Sequence, residues 1–115
     1  MRCAIYARYS SDLQRPASIE DQIRKCKECA ARRNWIVRDD YVVSDSALSG
    51  AAVVGREAFD FLIRAAKVNP RPFDLILVDD TSRLARYLPD ALKALDILHF
   101  HGAALYYVSR FMHVN

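Results

Sequence analysis

The sequence predicts an α/β fold, in which helices cover both faces of a mainly parallel sheet in a three-layer αβα arrangement. Short apolar segments alternate with segments of helical periodicity, in the order β-α-β-α-β-α-β. The third apolar segment is nearly continuous, which is typical of a strand buried on both faces. Connections between parallel strands are right-handed, so the helices lie on both sides of the sheet. The 115 residues are predicted to form one domain, 1–115.

Each element is predicted from its own pattern of side chains. The strands are expected at residues 3–7, 35–43, 73–78 and 103–108, the last also buried. The helices are expected at residues 19–33, from 56 to the Pro70-Arg71-Pro72 segment, and between Pro89 and Gly102. Ser18 is a suitable N-cap for the first helix. Residues 38–40 are expected to be bulged or exposed, and 44–55 to form a loop of small residues.

The helices are expected to bury narrow apolar faces. Ile19, Ile23, Cys26 and Ala30 recur at helical spacing in the first helix, and Leu88, Leu92 and Leu95 in the third. The apolar face of the second helix consists of Phe59, Leu62, Ile63 and Ala66.

Composition limits the classes of protein that fit. Apolar residues make up 52% and charged residues 27% of the chain, which is typical of globular rather than disordered proteins. The net charge of +3 permits an anionic partner without requiring one. Three cysteines favour a reduced, cytoplasmic protein, and Cys26-x-x-Cys29 lacks the second pair of a zinc site. No apolar run is long enough for a membrane span.

The stretch from Ile5 to Gln14 carries the first candidate chemistry. An apolar strand ends here and is followed at once by Arg8 and Ser10. Ligands of open α/β sheets bind at the carboxyl ends of the strands. A hydroxyl beside a guanidinium, whose planar donors match phosphate, suggests attack on a phosphate ester. A polar turn after a strand explains the same residues without any chemistry.

The same rule gathers polar residues from several parts of the chain at one edge of the sheet. They are Arg8, Ser10, Gln14, Asp45, Ser49, Arg56 and the segment Asp79 to Arg86. Four arginines would repel one another unless an anion lay among them. Phosphate chemistry is therefore the favoured interpretation of this edge.

Other chemistries fit the residues less well. With 3 glycines, the chain has no phosphate-binding loop and no nucleotide cofactor is expected. His99, His101 and His113 lie away from the predicted site, which disfavours a Ser-His-Asp triad. Asp45, Asp79 and Asp80 form an alternative Mg²⁺ site, and a structural alternative pairs Asp79 or Asp80 with Arg83 or with a helix end.

Several ordered motifs together resemble the catalytic domain of serine recombinases, the family of resolvases, invertases and large serine integrases. The motifs are Tyr6 to Gln14, Ser18-Ile19-Glu20-Asp21-Gln22, Asp45 through Ser49-Gly50, Arg56, and Ser82-Arg83-Leu84-Ala85-Arg86. The Ser-Ile-Glu-Asp-Gln segment is most similar to the large serine group. The resemblance covers nearly the whole chain.

The resemblance implies a DNA-cutting enzyme without metal or nucleotide cofactor. Ser10 would attack a phosphodiester and form a covalent 5′-phosphoserine link. Arg8, Arg83 and Arg86 would hold the scissile phosphate, with Arg56 assisting. The supporting residues would be Gln14, Gln22, Asp45, Ser49 and Asp80. Many relatives carry an aspartate at the position of Ser82, and Asp80 lies two residues before it. Relatives act as dimers that pair into tetramers.

Two further expectations concern the extent of the chain and the role of its arginines. The family's dimerisation helix and DNA-binding region have no counterpart in residues 1–115, so a truncated fragment or a catalytically silent dimerisation module is the alternative. Because Arg8 and Arg83 belong to no apolar face, replacing either by alanine is expected to abolish activity and leave folding intact.

Overall fold

Parallel strands and helices alternate along the part of the chain that the computed structural model describes, which is residues 1–8, 19–45, 56–79 and 91–108. The strands are β1 (Arg2–Arg8), β2 (Ile36–Asp45), β3 (Leu75–Val78) and β4 (Ala104–Tyr107). The helices are α1 (Ile19–Arg32), α2 (Glu57–Ala66) and α3 (Ala91–Phe100). The strands pair in the order β2-β1-β3-β4, and every pair is parallel. The predicted α/β class is confirmed.

The sheet separates two apolar cores, because neighbouring residues of a strand point to opposite faces. Along β1, Ala4 and Tyr6 face the core formed with α2 and α3, while Cys3 and Ile5 face the core formed with α1. The three layers of the predicted arrangement are therefore present. None of the described helices is long and apolar enough to cross a membrane.

The three cysteines lie in the core that α1 covers. Cys3, Cys26 and Cys29 are all buried and reduced. Burial raises the pKa of the Cys3 thiol to about 11 and that of the Cys26 thiol to about 12. These thiols therefore stay protonated and pack as small apolar groups.

Helices α1 and α3 end in the same backbone motif. After α3, Gly102 adopts a φ of 85°, and the N–H of Ala103 donates to the carbonyl of Leu98 at 2.8 Å. After α1, Asn34 adopts a φ of 61°, and the N–H of Trp35 donates to the carbonyl of Ala30 at 2.9 Å. Both are Schellman ends, in which a left-handed residue turns the chain towards the next strand.

Several boundaries differ from the sequence prediction. Strand β2 continues to Asp45, which the sequence analysis placed in the following loop. Between the pairs Cys3–Val37 and Ile5–Val42 the register shifts, so β2 is bulged around the predicted 38–40 segment. Strand β3 begins two residues later than predicted, at Leu75.

The predicted apolar stripe of α3 was wrong at Leu95, the one predicted position whose side chain lies in the described part of the chain. The residues that α3 packs into the core are Ala94, Ile97 and Leu98, whereas Leu95 is half-buried. Strand β4 is half-buried along its length rather than buried, because it is an edge of the sheet. Ser18, Leu88 and the side chain of Leu92 lie outside the described residues.

Arg71 joins the amino-terminal edge of the sheet to the turn after α3. Its Nη1 donates to the carbonyl of His101 at 3.0 Å, and its Nη2 donates to Asp74 Oδ1 at 2.8 Å. Asp74 also accepts the backbone N–H of Arg2 at 3.1 Å. These hydrogen bonds connect the start of β1, the segment before β3 and the end of α3.

Gly102→Ala is predicted to destabilise the domain by about 1–2 kcal/mol, because an L side chain is strained at this φ. An added Cβ would also lie 2.8 Å from Arg71 Nη1, which cannot shift without disturbing its hydrogen bond to His101. Urea unfolding measures the change. In the control Asn34→Gly, the left-handed conformation is retained, and a change below about 0.5 kcal/mol is expected. Equal midpoints for Gly102→Ala and the parent protein would contradict this account.

Asp74→Asn is predicted to lower the free energy of unfolding at neutral pH. Because the variant lacks the carboxylate, its stability should fall less steeply in acid than that of the parent protein. The pKa of Asp74 is lowered chiefly because it accepts the backbone N–H of Arg2, aided by the Arg71 and Arg2 side chains against the effect of burial. Its contribution is therefore present above about pH 4 and is lost as pH falls through the lower folded pKa. Urea unfolding across this range tests the prediction against the exposed control Asp39→Asn. A deficit in Asp74→Asn that persists unchanged in acid would refute it.

Candidate functional site

Arg8 occupies the last position of β1, at the carboxyl edge of the sheet, and is only 7% exposed. The side-chain amide of Gln22 on α1 holds its backbone from both sides. The Arg8 N–H donates to Gln22 Oε1 at 3.1 Å, and Gln22 Nε2 donates to the Arg8 carbonyl at 2.9 Å. Gln22 thus ties the last residue of β1 to α1 through two hydrogen bonds.

The guanidinium of Arg8 faces a buried tyrosine and a buried carboxylate. Its Nη1 donates to the Tyr6 hydroxyl at 3.0 Å and lies 3.9 Å from Asp45 Oδ2. The Tyr6 hydroxyl in turn donates to Asp45 Oδ2 at 2.7 Å. The register of the sheet explains the contact, because Arg8 and Asp45 are paired residues of β1 and β2.

Asp45 also caps α2, although it lies 13 residues before Ala58 in the sequence. Its Oδ1 accepts the N–H of Ala58 at 2.7 Å, and its Oδ2 accepts the N–H of Phe59 at 3.1 Å. The N-cap residue of α2 is Arg56, whose side chain makes no capping hydrogen bond. Asp45 therefore supplies the hydrogen-bond acceptor that a Ser, Thr or Asp at the N-cap usually supplies. Its negative charge is also favourable at the positive end of the helix dipole.

Tyr6 is a member of this site that the sequence analysis did not single out. Burial, followed by its hydrogen bond to Asp45, raises the pKa of Tyr6, so the phenol remains a donor. A tyrosine in an otherwise aliphatic buried strand is a signal of such a role, since a buried phenol needs a polar partner. Its position two residues before Arg8 places both side chains on one face of β1.

Arg56 lies at the same edge, just before α2. Its Nε donates to Asp60 Oδ1 at 3.1 Å, and its Cζ lies 5.7 Å from the centre of the Phe59 ring. The side chains of Arg56 and Asp60 are 37% and 41% exposed. Arg56 is therefore a surface residue, in contrast to Arg8.

The structure brings together those predicted site residues that it describes. Arg8 contacts both Gln22 and Asp45, and Arg56 is the N-cap residue of the helix that Asp45 caps. Asp79 directly follows β3 at the same edge and is buried. The other predicted residues lie outside the described part of the chain: Ser10, Gln14, Ser49, Asp80, Arg83 and Arg86.

The magnesium alternative is not favoured by the surroundings of Asp45. Both of its oxygens accept backbone N–H groups and one also accepts the Tyr6 hydroxyl, so the carboxylate anchors the fold. Within the described ranges, no three His, Cys, Asp or Glu side chains form a group that could hold a metal ion. His99 and His101 lie at the end of α3, which the topology places at the opposite edge.

The burial of Arg8 adds a stability cost to the expected effect of its removal. From its position in the sequence Arg8 belongs to no apolar face, whereas in the structure its side chain is 8% exposed and faces a buried carboxylate. Removing one partner of such a pair leaves the other charge buried.

Comparison with known structures identifies the fold. The crystal structure of the C-terminal catalytic domain of ISC1926 TnpA, an IS607-like serine recombinase, aligns with a TM-score of 0.67 and 23% sequence identity. The alignment covers 94% of this chain and 67% of that chain. The fold is therefore that of a serine recombinase catalytic domain. No curated protein sequence matched the chain.

The particular family is given by a second comparison. Residues 3–113 match the family model described as "Resolvase, N terminal domain". The match spans nearly all of the chain, which belongs to this family. The family resemblance drawn from the motifs is confirmed, while the assignment to the large serine group stays a prediction.

Arg8→Ala is predicted to destabilise the domain by roughly 1–3 kcal/mol, because it removes a charged hydrogen-bond donor and leaves Asp45 less neutralised. The double variant Arg8→Ala/Asp45→Asn should lose less than the sum of the two single variants, since the unpaired charge is gone. Denaturant unfolding of the four proteins measures this coupling.

The matched control for Arg8→Ala is Arg64→Ala, which removes an exposed arginine of α2. Its expected effect is within about 0.5 kcal/mol. Strict additivity of the Arg8 and Asp45 changes, or a loss in Arg64→Ala as large as in Arg8→Ala, would show that the buried pair has no special role.

Proposed function

We propose that this chain acts as the catalytic domain of a site-specific DNA recombinase and that Ser10 is its nucleophile. The family match supports the class of reaction, and the placement of Arg8 carries the argument for the site. Arg8 lies two residues before Ser10 at the carboxyl edge of the sheet, with its backbone and guanidinium both fixed. A serine that follows so closely stays near a permanently charged, phosphate-binding group.

The proposed step is a direct exchange of phosphate esters. The Ser10 hydroxyl loses its proton and its Oγ forms a bond to phosphorus, while the bond from phosphorus to the DNA 3′-oxygen breaks. The 3′-oxygen leaves with a proton, and the 5′ phosphate remains on serine. Attack of a 3′-hydroxyl on this phosphoserine reverses the step and rejoins a strand, so no metal or nucleotide is needed.

The arginines of the edge supply the charge that this step requires. Arg8, Arg56, Arg83 and Arg86 would bind the non-bridging oxygens, whose negative charge is spread out in the transition state. Gln22 positions Arg8 through two hydrogen bonds to its backbone, and Asp45 does so through the ion pair at 3.9 Å. Gln14, Ser49 and Asp80 complete the proposed supporting set.

The wider assignments rest on the family alone. DNA is the proposed substrate, with dimers that pair into tetramers during strand exchange. The large serine recombinases are the proposed subgroup, and the cytoplasm is the proposed compartment. With a net charge of +3, contacts between this domain and DNA are expected to weaken as salt rises.

Covalent capture tests the nucleophile. The protein, expressed from its complete reading frame, is incubated with sheared DNA of its source organism and stopped with detergent. We expect a protein–DNA adduct whose DNA has a blocked 5′ end and a free 3′-hydroxyl. Nuclease digestion followed by mass spectrometry should place the remaining nucleotide on Ser10.

The chain offers a matched control in the neighbouring serine. Ser10→Ala should abolish the adduct, whereas Ser11→Ala should retain it. An adduct on Ser11, or equal adduct from Ser10→Ala and the parent protein, would overturn the proposal. Absence of any adduct with the parent protein would favour the catalytically silent module instead.

A further inference from the structure

A second arginine of the proposed site is paired with a carboxylate that the proposed chemistry does not use. The Nε of Arg56 donates to Asp60 Oδ1 at 3.1 Å, four residues further along α2. The two side chains are 37% and 41% exposed, so solvent and ions reach them readily. A partly exposed pair at i,i+4 is weak, so another anion can compete with it.

The direction of α2 determines where this contact places the guanidinium. Parallel strands require the following helix to run back across the sheet, so α2 begins at the carboxyl edge and leads away from it. Four residues correspond to about 6 Å along a helix axis. Asp60 therefore draws the Arg56 guanidinium along the helix, away from the edge where Arg8 lies.

The backbone of Arg56 cannot easily compensate for this displacement. Asp45 accepts the N–H groups of Ala58 and Phe59 and is itself bound to Tyr6, so the first turn of α2 is anchored to β1. The Arg56 carbonyl also begins the helix by accepting the N–H of Asp60 at 2.9 Å. With this backbone anchored, any change in the position of the Arg56 guanidinium has to come from its side chain.

We propose that Asp60 is a positioning residue that holds Arg56 back from the carboxyl edge until a phosphate group replaces its carboxylate. The inference rests on the proposed role of Arg56 in phosphate binding. Asp60 touches no reacting atom; it competes with the substrate for one guanidinium. Binding of phosphate at the edge therefore includes the release of the Arg56–Asp60 pair.

Removing the competing carboxylate should strengthen phosphate binding by a small and defined factor. Exposed pairs at i,i+4 are weak, so Asp60→Asn is expected to tighten binding about twofold. Removal of any negative charge near the edge also makes the binding of an anion more favourable. Glu57→Gln controls for this effect, because Glu57 is an exposed carboxylate of the same helical turn.

The experiment follows the Nε–H of Arg56 by NMR in the full chain, with inorganic phosphate and then a short random duplex DNA as probes. In the parent protein and in Glu57→Gln, this proton should be protected from exchange before the probe is added. In Asp60→Asn the protection should be reduced, because the acceptor of the Nε–H is no longer a carboxylate. Titration should then give a dissociation constant about twofold lower for Asp60→Asn than for Glu57→Gln. In an Arg56→Gln background, the two variants should bind alike.

The outcomes separate this inference from the proposed function. If Asp60→Asn and Glu57→Gln bind both probes equally, or if Asp60→Asn binds more weakly, the proposed role of Asp60 is overturned. This readout does not depend on DNA cleavage. Failure of the proposed function is instead shown by the absence of a Ser10 adduct, which leaves the exchange between Asp60 and phosphate measurable.

Discussion

The buried carboxylate of Asp45 is the contact on which the carboxyl edge of this domain depends. It joins three elements, because it lies opposite Arg8 in the sheet, accepts the hydroxyl of Tyr6 and caps the first turn of α2. The relative positions of Arg8 and Arg56 follow from this one group.

Stability alone does not explain such an arrangement. The side chains of Arg8 and Asp45 are 8% and 4% exposed, and taking two charges out of water offsets much of their attraction. Packed apolar residues at both positions would be of comparable stability. The pair makes sense if a guanidinium has to be held in one place beside the sheet, since preorganised charge is what an anionic transition state requires.

The sequence predicted the alternation of elements, the buried face of α1 and the turn at Gly102, because each depends on a local pattern. It did not predict that Arg8 is buried, since its partner Asp45 is distant in the chain and only strand pairing brings them together. It placed Asp45 in a loop because small polar residues follow it. It also chose the leucines of α3, although the packing of α2 against α3 selects Ala94 and Leu98.

The two described arginines of the edge are neutralised in different ways, and this difference suggests how an anion is received. Arg8 shares a buried carboxylate with a tyrosine and a helix end, so displacing Asp45 would disturb the fold. Arg56 is paired with an exposed carboxylate that has no such structural role in the described contacts. Neighbouring cations repel each other less while both are paired, and under the proposed function a phosphate would displace Asp60 more readily than Asp45. One arginine is therefore suited to fixed positioning and the other to exchange.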